Sequence, residues 1–265
     1  MKLCSISSGS DGNCIYVGTE STHILIDAGI SKKKVLEGLN QLNLKAEDID
    51  AVLITHEHDD HIGGLGVLER HRAIPVYGTG GTIDAISGYS KLGKMPDNVF
   101  NKFVSGASFK IGDIEIDTTA ISHDAAEPVA YTFSSGNSRA GIITDLGVYT
   151  DDIISKFSGL DTIFIESNHD INMLMAGPYP YVLKQRILGH RGHLSNEDCG
   201  RLLGQLLNDR TENVFLSHLS KENNFPELAF ETVRMEIDLG DNSYKARDFN
   251  IRVADRNAPS DIVIF

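Results

Sequence analysis

The sequence contains no tryptophan and only three cysteines, Cys4, Cys14 and Cys199. The odd cysteine count and the lack of a CxxC spacing argue against a disulfide framework and favour a reducing compartment, so we expect a cytoplasmic protein. The longest apolar runs, such as residues 51–54, fall far short of the roughly 18 residues needed to span a bilayer. Because no apolar segment with a cleavage site follows the first residues, we expect neither export nor a membrane partner.

A surplus of positive charge is also lacking. The 24 lysines and arginines are outnumbered by 37 aspartates and glutamates, and the formal net charge is −13. This balance disfavours a protein that coats nucleic acid non-specifically, because such proteins present a basic surface to the phosphates. Carboxylates that hold divalent cations would nevertheless return positive charge to a substrate site. The net charge therefore weakens a nucleic-acid function without excluding it.

No Pro/Ser-rich linker or low-complexity tract divides the 265 residues. Helical start signals and apolar periodicity predict helices over residues 31–42, 62–72 and 195–207. Short apolar or alternating segments predict strands at residues 15–17, 23–26, 51–54, 74–77, 109–111, 114–118, 129–134, 140–143, 162–165 and 213–216.

Two parts of the chain resemble each other. Residues 23–29 and 141–147 each form an apolar segment that ends in an aspartate and, two positions later, a glycine. Further on, residues 50–56 and 161–166 each form a second buried strand that ends at a polar residue. The same order of features occurs twice, which predicts one α/β domain over residues 1–265 made of two pseudo-repeated halves, with two sheets inside and helices outside.

Residues 55–61, Thr-His-Glu-His-Asp-Asp-His, contain three histidines and three acids directly after a predicted buried strand. His56 and His58 are two apart, so in an extended or tightly turned segment they can point the same way and bind one ion. Asp60 and His61 lie beyond the turn, where they can face a second ion. Imidazole and carboxylate ligands suit Zn²⁺, Mn²⁺ or Fe²⁺, and ligand type alone does not choose among these metals.

This HxHxDH pattern resembles the metallo-β-lactamase superfamily, and other landmarks of that superfamily follow in order along nearly the whole chain. The resemblance implies a four-layer αβ/βα sandwich that holds two divalent metal ions. It implies that Asp27 supports the histidine loop without binding metal, and that Asp145 bridges the two ions. The resemblance also requires one further histidine between the HxHxDH segment and Asp145. His71 and His123 are available, and we favour His123 because it follows a predicted strand, whereas His71 ends a predicted helix.

The last metal ligand of the resemblance has to come from His169, His190, His193 or His218. We favour His218, because it follows the predicted strand at residues 213–216. A carboxylate at the bridging position, where true zinc β-lactamases carry a cysteine, argues against antibiotic hydrolysis. The expected metal ligands are His56, His58, Asp60, His61, His123, Asp145 and His218.

His193 carries information about the reaction. Residues 192–195, Gly-His-Leu-Ser, lead into a predicted helix and look like the HxT/S–helix motif of the phosphodiesterase branch of the superfamily. This resemblance implies that His193 protonates the leaving oxygen, that Glu166 orients His193, and that Asp60 orients the attacking water in addition to binding metal. A structural role for His193 in capping or packing near that helix is the alternative.

Residues 7–13 and 177–193 narrow the resemblance to the YycJ/WalJ/VicX group of bacterial nuclease-like proteins. This group implies exonuclease action on DNA in the 5′ to 3′ direction and a functional link to a two-component signalling system. The basic cluster before His193, formed by Lys184, Arg186 and Arg191, would suit phosphate. A solvated helix face is an equally good explanation of this cluster. A simple β-turn between two strands is an equally good explanation of residues 7–13. The expected substrate-binding residues are Ser8, Asn13, Lys184, Arg186 and Arg191.

Other functions of the same fold remain in competition. The interval from Asp145 to His193 is too short for the large β-CASP insertion of RNase J-type nucleases, so we expect a compact phosphodiesterase. A thioester or lactone hydrolase of the glyoxalase II type would use the same ligands but need neither His193 nor the basic cluster. A regulatory accessory protein with structural metals is the second rival. We assign no role to His23, His169 and His190 beyond support of the ligands.

Overall fold

The computed structural model describes all residues from 1 to 265. Its strands are β1 (Lys2–Ser7), β2 (Cys14–Gly18), β3 (His23–Ile26), β4 (Ala51–Leu53), β5 (Val76–Thr79), β6 (Phe100–Phe103), β7 (Ser108–Ile111), β8 (Ile114–Ala120), β9 (Val129–Ser135), β10 (Ser138–Ile143), β11 (Thr162–Glu166), β12 (Asn213–Ser217), β13 (Asn250–Val253) and β14 (Val263–Ile264). Its α-helices are α1 (Lys32–Gln41), α2 (Asp59–Ile62), α3 (Leu65–His71), α4 (Gly80–Ser87), α5 (Asp151–Lys156), α6 (Ile171–Ala176), α7 (Tyr181–Leu188), α8 (Asn196–Leu206) and α9 (Pro226–Leu239). None of these helices is both long enough and apolar enough to cross a membrane.

The strands form two seven-stranded sheets with the orders β14-β1-β2-β3-β4-β5-β6 and β13-β12-β11-β10-β9-β8-β7. In the first sheet, the neighbours from β3 to β6 are parallel and the others are antiparallel. In the second sheet, the neighbours from β10 to β13 are parallel and the others are antiparallel. The two sheets therefore share one pairing order, as a duplicated unit requires. The duplication itself stays a prediction.

The side chains of the central strands point alternately into two different hydrophobic layers. In β3, Ile24 and Ile26 belong to the cluster between the sheets, whereas Leu25 packs towards the helices outside. In β11, Phe164 lies between the sheets, and Ile163 and Ile165 pack on the opposite side. Strands that are buried on both faces must be apolar at every position, which explains their continuous apolar sequences. The expected αβ/βα sandwich, with two inner sheets and outer helices, is confirmed.

The histidine loop departs locally from the sequence-based expectation. Instead of one helix over 62–72, the chain forms α2 and α3, with Gly63 and Gly64 between them. A Cβ atom at Gly64 would lie 1.7 Å from the carbonyl oxygen of Ile30, and a Cβ at Gly29 would lie 1.7 Å from that of Asp60. Only glycine allows the two backbone segments to approach this closely. The close approach holds the histidine loop against the segment that follows β3.

Candidate metal centre

Side chains that follow the carboxyl ends of β3, β4, β10, β11 and β12 meet at one edge of the sandwich. Three of them have left-handed backbone conformations: Asp27 (φ 61°), Asp145 (φ 56°) and His218 (φ 53°). Residues other than glycine adopt this conformation at an energetic cost, and such residues concentrate at functional sites. Here each one turns the chain sharply at the end of a buried strand, so that its side chain enters the site.

The structure brings all seven expected metal ligands together in neighbouring groups. His56, His58 and His123 form one group, and Asp60, His61 and His218 form another. Asp145 belongs to further groups with members of both sets. Within each group the ligand atoms lie within 4.8 Å of one another. The short separations include His58 Nδ1 to His123 Nε2 (3.3 Å), His61 Nε2 to Asp145 Oδ2 (3.1 Å) and His218 Nε2 to Asp60 Oδ2 (3.1 Å).

Four of the five histidines use their second ring nitrogen in a hydrogen bond that fixes the ring. The bonds run from His56 Nδ1 to Thr55 Oγ1 (3.0 Å), His61 Nδ1 to Asp27 Oδ2 (2.7 Å), His123 Nδ1 to the Gly192 carbonyl (3.1 Å) and His218 Nδ1 to Glu166 Oε1 (2.9 Å). Because these acceptors hold a proton on Nδ1, Nε2 is the nitrogen that each of the four rings turns towards the centre. The fifth histidine, His58, turns Nε2 towards Asp124 Oδ1 at 3.9 Å and leaves Nδ1 facing inwards.

The buried atoms at the centre lack protein partners that would satisfy them. His56 Nε2 forms no hydrogen bond, and Asp145 Oδ2 has only His61 Nε2 beside it at 3.1 Å, although both residues are almost completely buried. Unpaired buried polar atoms are costly, and native proteins satisfy nearly all of them. A divalent cation would satisfy these atoms, and the imidazole and carboxylate donors fit such an ion. The residues present therefore fit a metal centre, although they identify neither the metal nor the number of ions.

The buried carboxylates at the centre raise the pKa of two of its histidines, His61 and His218. Burial opposes a charge on His218, but attraction to Asp145, Asp60 and Glu166 outweighs it and raises the pKa of His218 to about 10. Burial likewise disfavours the Asp145 carboxylate, yet attraction to His218 and His61 holds its pKa well below its usual range. The centre is thus built around negative charge that needs cations, whether protons or metals.

Asp27 lies beneath the histidine loop and does not face the ligand centre. Its carboxylate is fully buried and accepts hydrogen bonds from the Thr55 amide (2.8 Å), from Thr55 Oγ1 (2.9 Å) and from His61 Nδ1 (2.7 Å). These bonds hold both the start of the loop and the ring of one ligand. The position of Asp27 matches the supporting role implied by the sequence resemblance.

Glu166 and His193 form the pair that the sequence suggested. His193 Nδ1 donates to Glu166 Oε1 at 2.8 Å, so Nε2 is the free nitrogen of the ring. Burial opposes the charges of both groups, but their mutual attraction outweighs it. The pKa of Glu166 is lowered to about 2, and the pKa of His193 is raised. The carboxylate of Glu166 therefore strengthens the hold of the partly exposed His193 imidazole on its proton, as suits a proton donor.

Glu166 also has a connection that the sequence did not reveal. The oxygen that binds His193 accepts a second hydrogen bond from His218 Nδ1, at 2.9 Å. The other oxygen accepts from the amides of Leu146 (2.9 Å) and Leu194 (3.2 Å). One fully satisfied carboxylate thus orients both the proposed proton donor and a metal ligand.

A cavity of about 260 Å³ opens directly onto this centre. Arg186 is the only one of the five expected substrate-binding residues that lines this cavity. Its Nε donates to Asp124 Oδ2 at 2.5 Å. The other residues that line the cavity are Ser10, His58, Asp60, Asp124, Asp145, Asn168, Tyr179, Leu183, Ile187, Gly192, His193, His218 and Ser220.

The four other expected substrate-binding residues are engaged in supporting the fold. Ser8 is buried, and its Oγ accepts from the amide of His218 at 2.9 Å. Asn13 is buried with Nδ2 3.2 Å from His61 Nε2. Lys184 Nζ donates to two backbone carbonyls of the preceding segment, and Arg191 Nε donates to the His123 carbonyl at 2.9 Å. None of these four residues lines the cavity, because local hydrogen bonds hold their polar groups, and their role in substrate binding stays a prediction.

Several residues at the site were missed by sequence reasoning. Asp124 directly follows a ligand in the sequence, which is a signal that could have found it. Asn168 Nδ2 donates to the His218 carbonyl at 2.9 Å, and no motif contains Asn168. Tyr179 lines the cavity, and its place within residues 177–193 was the signal available for it. His169 is buried without a hydrogen bond to either ring nitrogen, and His23 bonds to Tyr16 Oη at 2.8 Å. Neither of these two histidines, nor His190, belongs to the ligand groups.

Comparison with known proteins gives related sequences and related folds. Residues 22–218 match the beta-lactamase superfamily domain. The chain is 41% identical over 242 residues to exodeoxyribonuclease WalJ of Streptococcus pneumoniae, with 90% of each chain covered. It is 40% identical over 233 residues to exodeoxyribonuclease YycJ of Bacillus anthracis, with 88% of each chain covered. Zn²⁺-bound PqqB of Methylobacterium extorquens shares the fold, with a TM-score of 0.73, 17% identity and coverage of 98% of this chain and 100% of that one.

Proposed function

Because this chain belongs to the metallo-β-lactamase superfamily and to its YycJ/WalJ group, we propose that it is a metal-dependent exodeoxyribonuclease. The observation that carries the proposal is the Glu166–His193 pair beside the ligand groups. A proton donor at this place serves a poor leaving group, such as a nucleotide oxygen, which departs slowly without a proton. The sequence identity to two exodeoxyribonucleases, over nearly the full length of each, supports DNA as the substrate.

The chain's own residues supply most of the parts that phosphodiester hydrolysis needs. The ligands would hold two divalent ions, for which Zn²⁺, Mn²⁺ and Fe²⁺ are the suitable metals. When bound, such ions supply Lewis acidity, which lowers the pKa of water and offsets charge on phosphate oxygens. Asp60, at the cavity wall, orients the attacking water, and Arg186 contributes positive charge beside the phosphate.

His193 completes the reaction by giving its Nε2 proton to the departing oxygen. Glu166 stabilises the protonated ring and fixes its direction through Nδ1. Because the same carboxylate oxygen also binds His218, the donor keeps a fixed position relative to the ligands. We expect the 5′ to 3′ direction, a cytoplasmic location and a link to two-component signalling; all three stay predictions.

A side-by-side substrate assay tests the proposed function. Metal-loaded protein is offered end-labelled single-stranded DNA, duplex DNA, RNA, methyl p-nitrophenyl phosphate and a glutathione thioester, with chelator-treated protein as the control. We expect metal-dependent release of nucleotides from DNA and no turnover of the thioester. Thioester hydrolysis without cleavage of DNA would favour the glyoxalase II-type rival. No turnover of any substrate by fully metal-loaded protein would favour the accessory-protein rival.

A further inference from the structure

Helix α7 buries a lysine and exposes three of its five apolar residues, which is unusual for a surface helix. Lys184 is only 9% exposed, and its Nζ donates to the carbonyls of Met175 (2.6 Å) and Gly177 (2.8 Å). Val182, on the opposite side of the helix, is 80% exposed, and Tyr181 at the start of the helix is 69% exposed. Apolar side chains that stay exposed to water contribute little to the stability of the fold. The exposed apolar residues of α7 are therefore available to bind a partner.

The same segment forms the apolar wall of the catalytic cavity. All three hydrophobic residues in the lining, Tyr179, Leu183 and Ile187, come from α7 and the turn before it. The rest of the lining is polar or consists of metal-centre residues. Arg186 lies on the same side of the helix and also reaches the cavity. One short element therefore offers apolar surface, an aromatic ring and a cation next to the ligand groups.

We define the α7 wall as Tyr179, Leu183 and Ile187, with the exposed Val182 at its outer edge. We propose that the α7 wall binds the unpaired bases of a single-stranded DNA end, with the base nearest the cleaved phosphate against Tyr179; this rests on the proposed function. Every base has an aromatic face, so such stacking does not depend on sequence.

Two physical arguments favour unpaired bases as the occupant. The cavity of about 260 Å³ lies just below the usual range for small-ligand sites, roughly 300–1,000 Å³, and this size matches one nucleotide better than a base pair. The chain also carries a net charge of −13, and Arg186 is the only arginine or lysine in the lining. Attraction of the phosphate backbone is therefore weak away from the metal centre, and base contacts must supply much of the affinity.

The test is a double-mutant cycle between protein and substrate. Cleavage of single-stranded oligonucleotides by wild type and Tyr179→Ala is measured as kcat/KM, with either an ordinary or an abasic residue at the cleaved end. We expect Tyr179→Ala to lose roughly 5- to 150-fold on the ordinary end, the range for one lost base–aromatic stack. On the abasic end the substitution should cost less than twofold, because no stack remains to be lost.

Two further variants separate stacking from structural damage. Tyr179→Phe keeps the ring and should restore kcat/KM on the ordinary end to within about threefold of wild type. Leu239→Ala removes an apolar side chain that is 79% exposed on α9, outside the cavity, and should leave both rates unchanged. An equal loss for Tyr179→Ala on both ends, or no loss on either, would overturn the α7 wall as a base-binding site.

The remaining outcomes distinguish this inference from the proposed function. If wild type cleaves both oligonucleotides and Tyr179→Ala loses the same factor of kcat/KM on each, only the α7 wall fails. If metal-loaded wild type cleaves neither the oligonucleotides nor methyl p-nitrophenyl phosphate, the proposed function fails and the wall loses its basis.

Sedimentation velocity supplies the last check. A dimer that Val182→Asp dissociates, without any change in cleavage, would assign the exposed residues to a second copy of the chain and overturn the proposal.

Discussion

Replacing His193 by alanine should slow the cleavage of DNA far more than the cleavage of an activated ester. The imidazole stands beside the metal ligands with Nδ1 held by Glu166 at 2.8 Å and Nε2 free to donate. A positioned proton donor contributes roughly 10²–10⁴-fold, which corresponds to about 3–5 kcal/mol of the activation barrier. We therefore expect kcat on DNA to fall by that factor.

The structure also indicates that this substitution leaves the metal centre intact. After loss of the imidazole, Glu166 still accepts hydrogen bonds from His218, Leu146 and Leu194. Because His193 is partly exposed at the cavity, water can fill the space that the side chain leaves. We expect the metal content and the thermal midpoint of His193→Ala to remain close to those of wild type.

Leaving-group dependence provides the assay. Wild type and His193→Ala are compared on DNA and on thymidine 5′-(p-nitrophenyl phosphate), whose nitrophenolate departs without a proton. The variant should recover most of its lost rate on the nitrophenyl ester. Equal losses on both substrates would refute proton donation and point to a positioning role. Loss of metal would show that His193 and not His218 is the ligand.

Three further predictions concern the metal centre and the stability of the fold. Combined Asp60→Ala and His61→Ala should abolish hydrolysis and lower the bound metal towards one ion per chain, measured by elemental analysis; two ions and normal turnover would contradict the ligand assignment. Asp27→Asn should keep the fold but weaken metal affinity or activity by about 10–100-fold, because Asp27 orients His61; wild-type values in a metal titration would reduce Asp27 to a turn residue. Burial raises the pKa of Glu69 to about 7 from 4.5, so its contribution to stability is fully present below pH 4.5 and is lost as the pH rises through 7. Glu69→Gln should therefore gain about 3 kcal/mol relative to wild type between pH 4.5 and 8 in urea unfolding of chelator-treated protein, and parallel curves would refute this.

The parts that local sequence could predict are those in which neighbouring residues act together. Strands β3, β4, β10, β11 and β12 were foreseen because burial on both faces requires continuous apolar segments. The predicted helices at residues 31–42 and 195–207 correspond to α1 and α8, which the side chains of Ser31 and Ser195 cap. The short strands β1, β6, β13 and β14 and the helices α4, α5, α6, α7 and α9 were missed.

By itself, the sequence determined the chemistry of the centre. The ligands of the histidine loop lie within six positions, so their type and spacing already specify a metal site. Only the tertiary structure decided which distant residues join that loop. It brings in His123 and His218 in preference to His71 and His169, and it leaves Arg186 alone among the expected phosphate contacts. Such choices depend on which strand ends meet across two sheets and on which backbone groups capture a side chain. The spacing of residues along the chain predicts neither the meeting of these strand ends nor the backbone partners of these side chains.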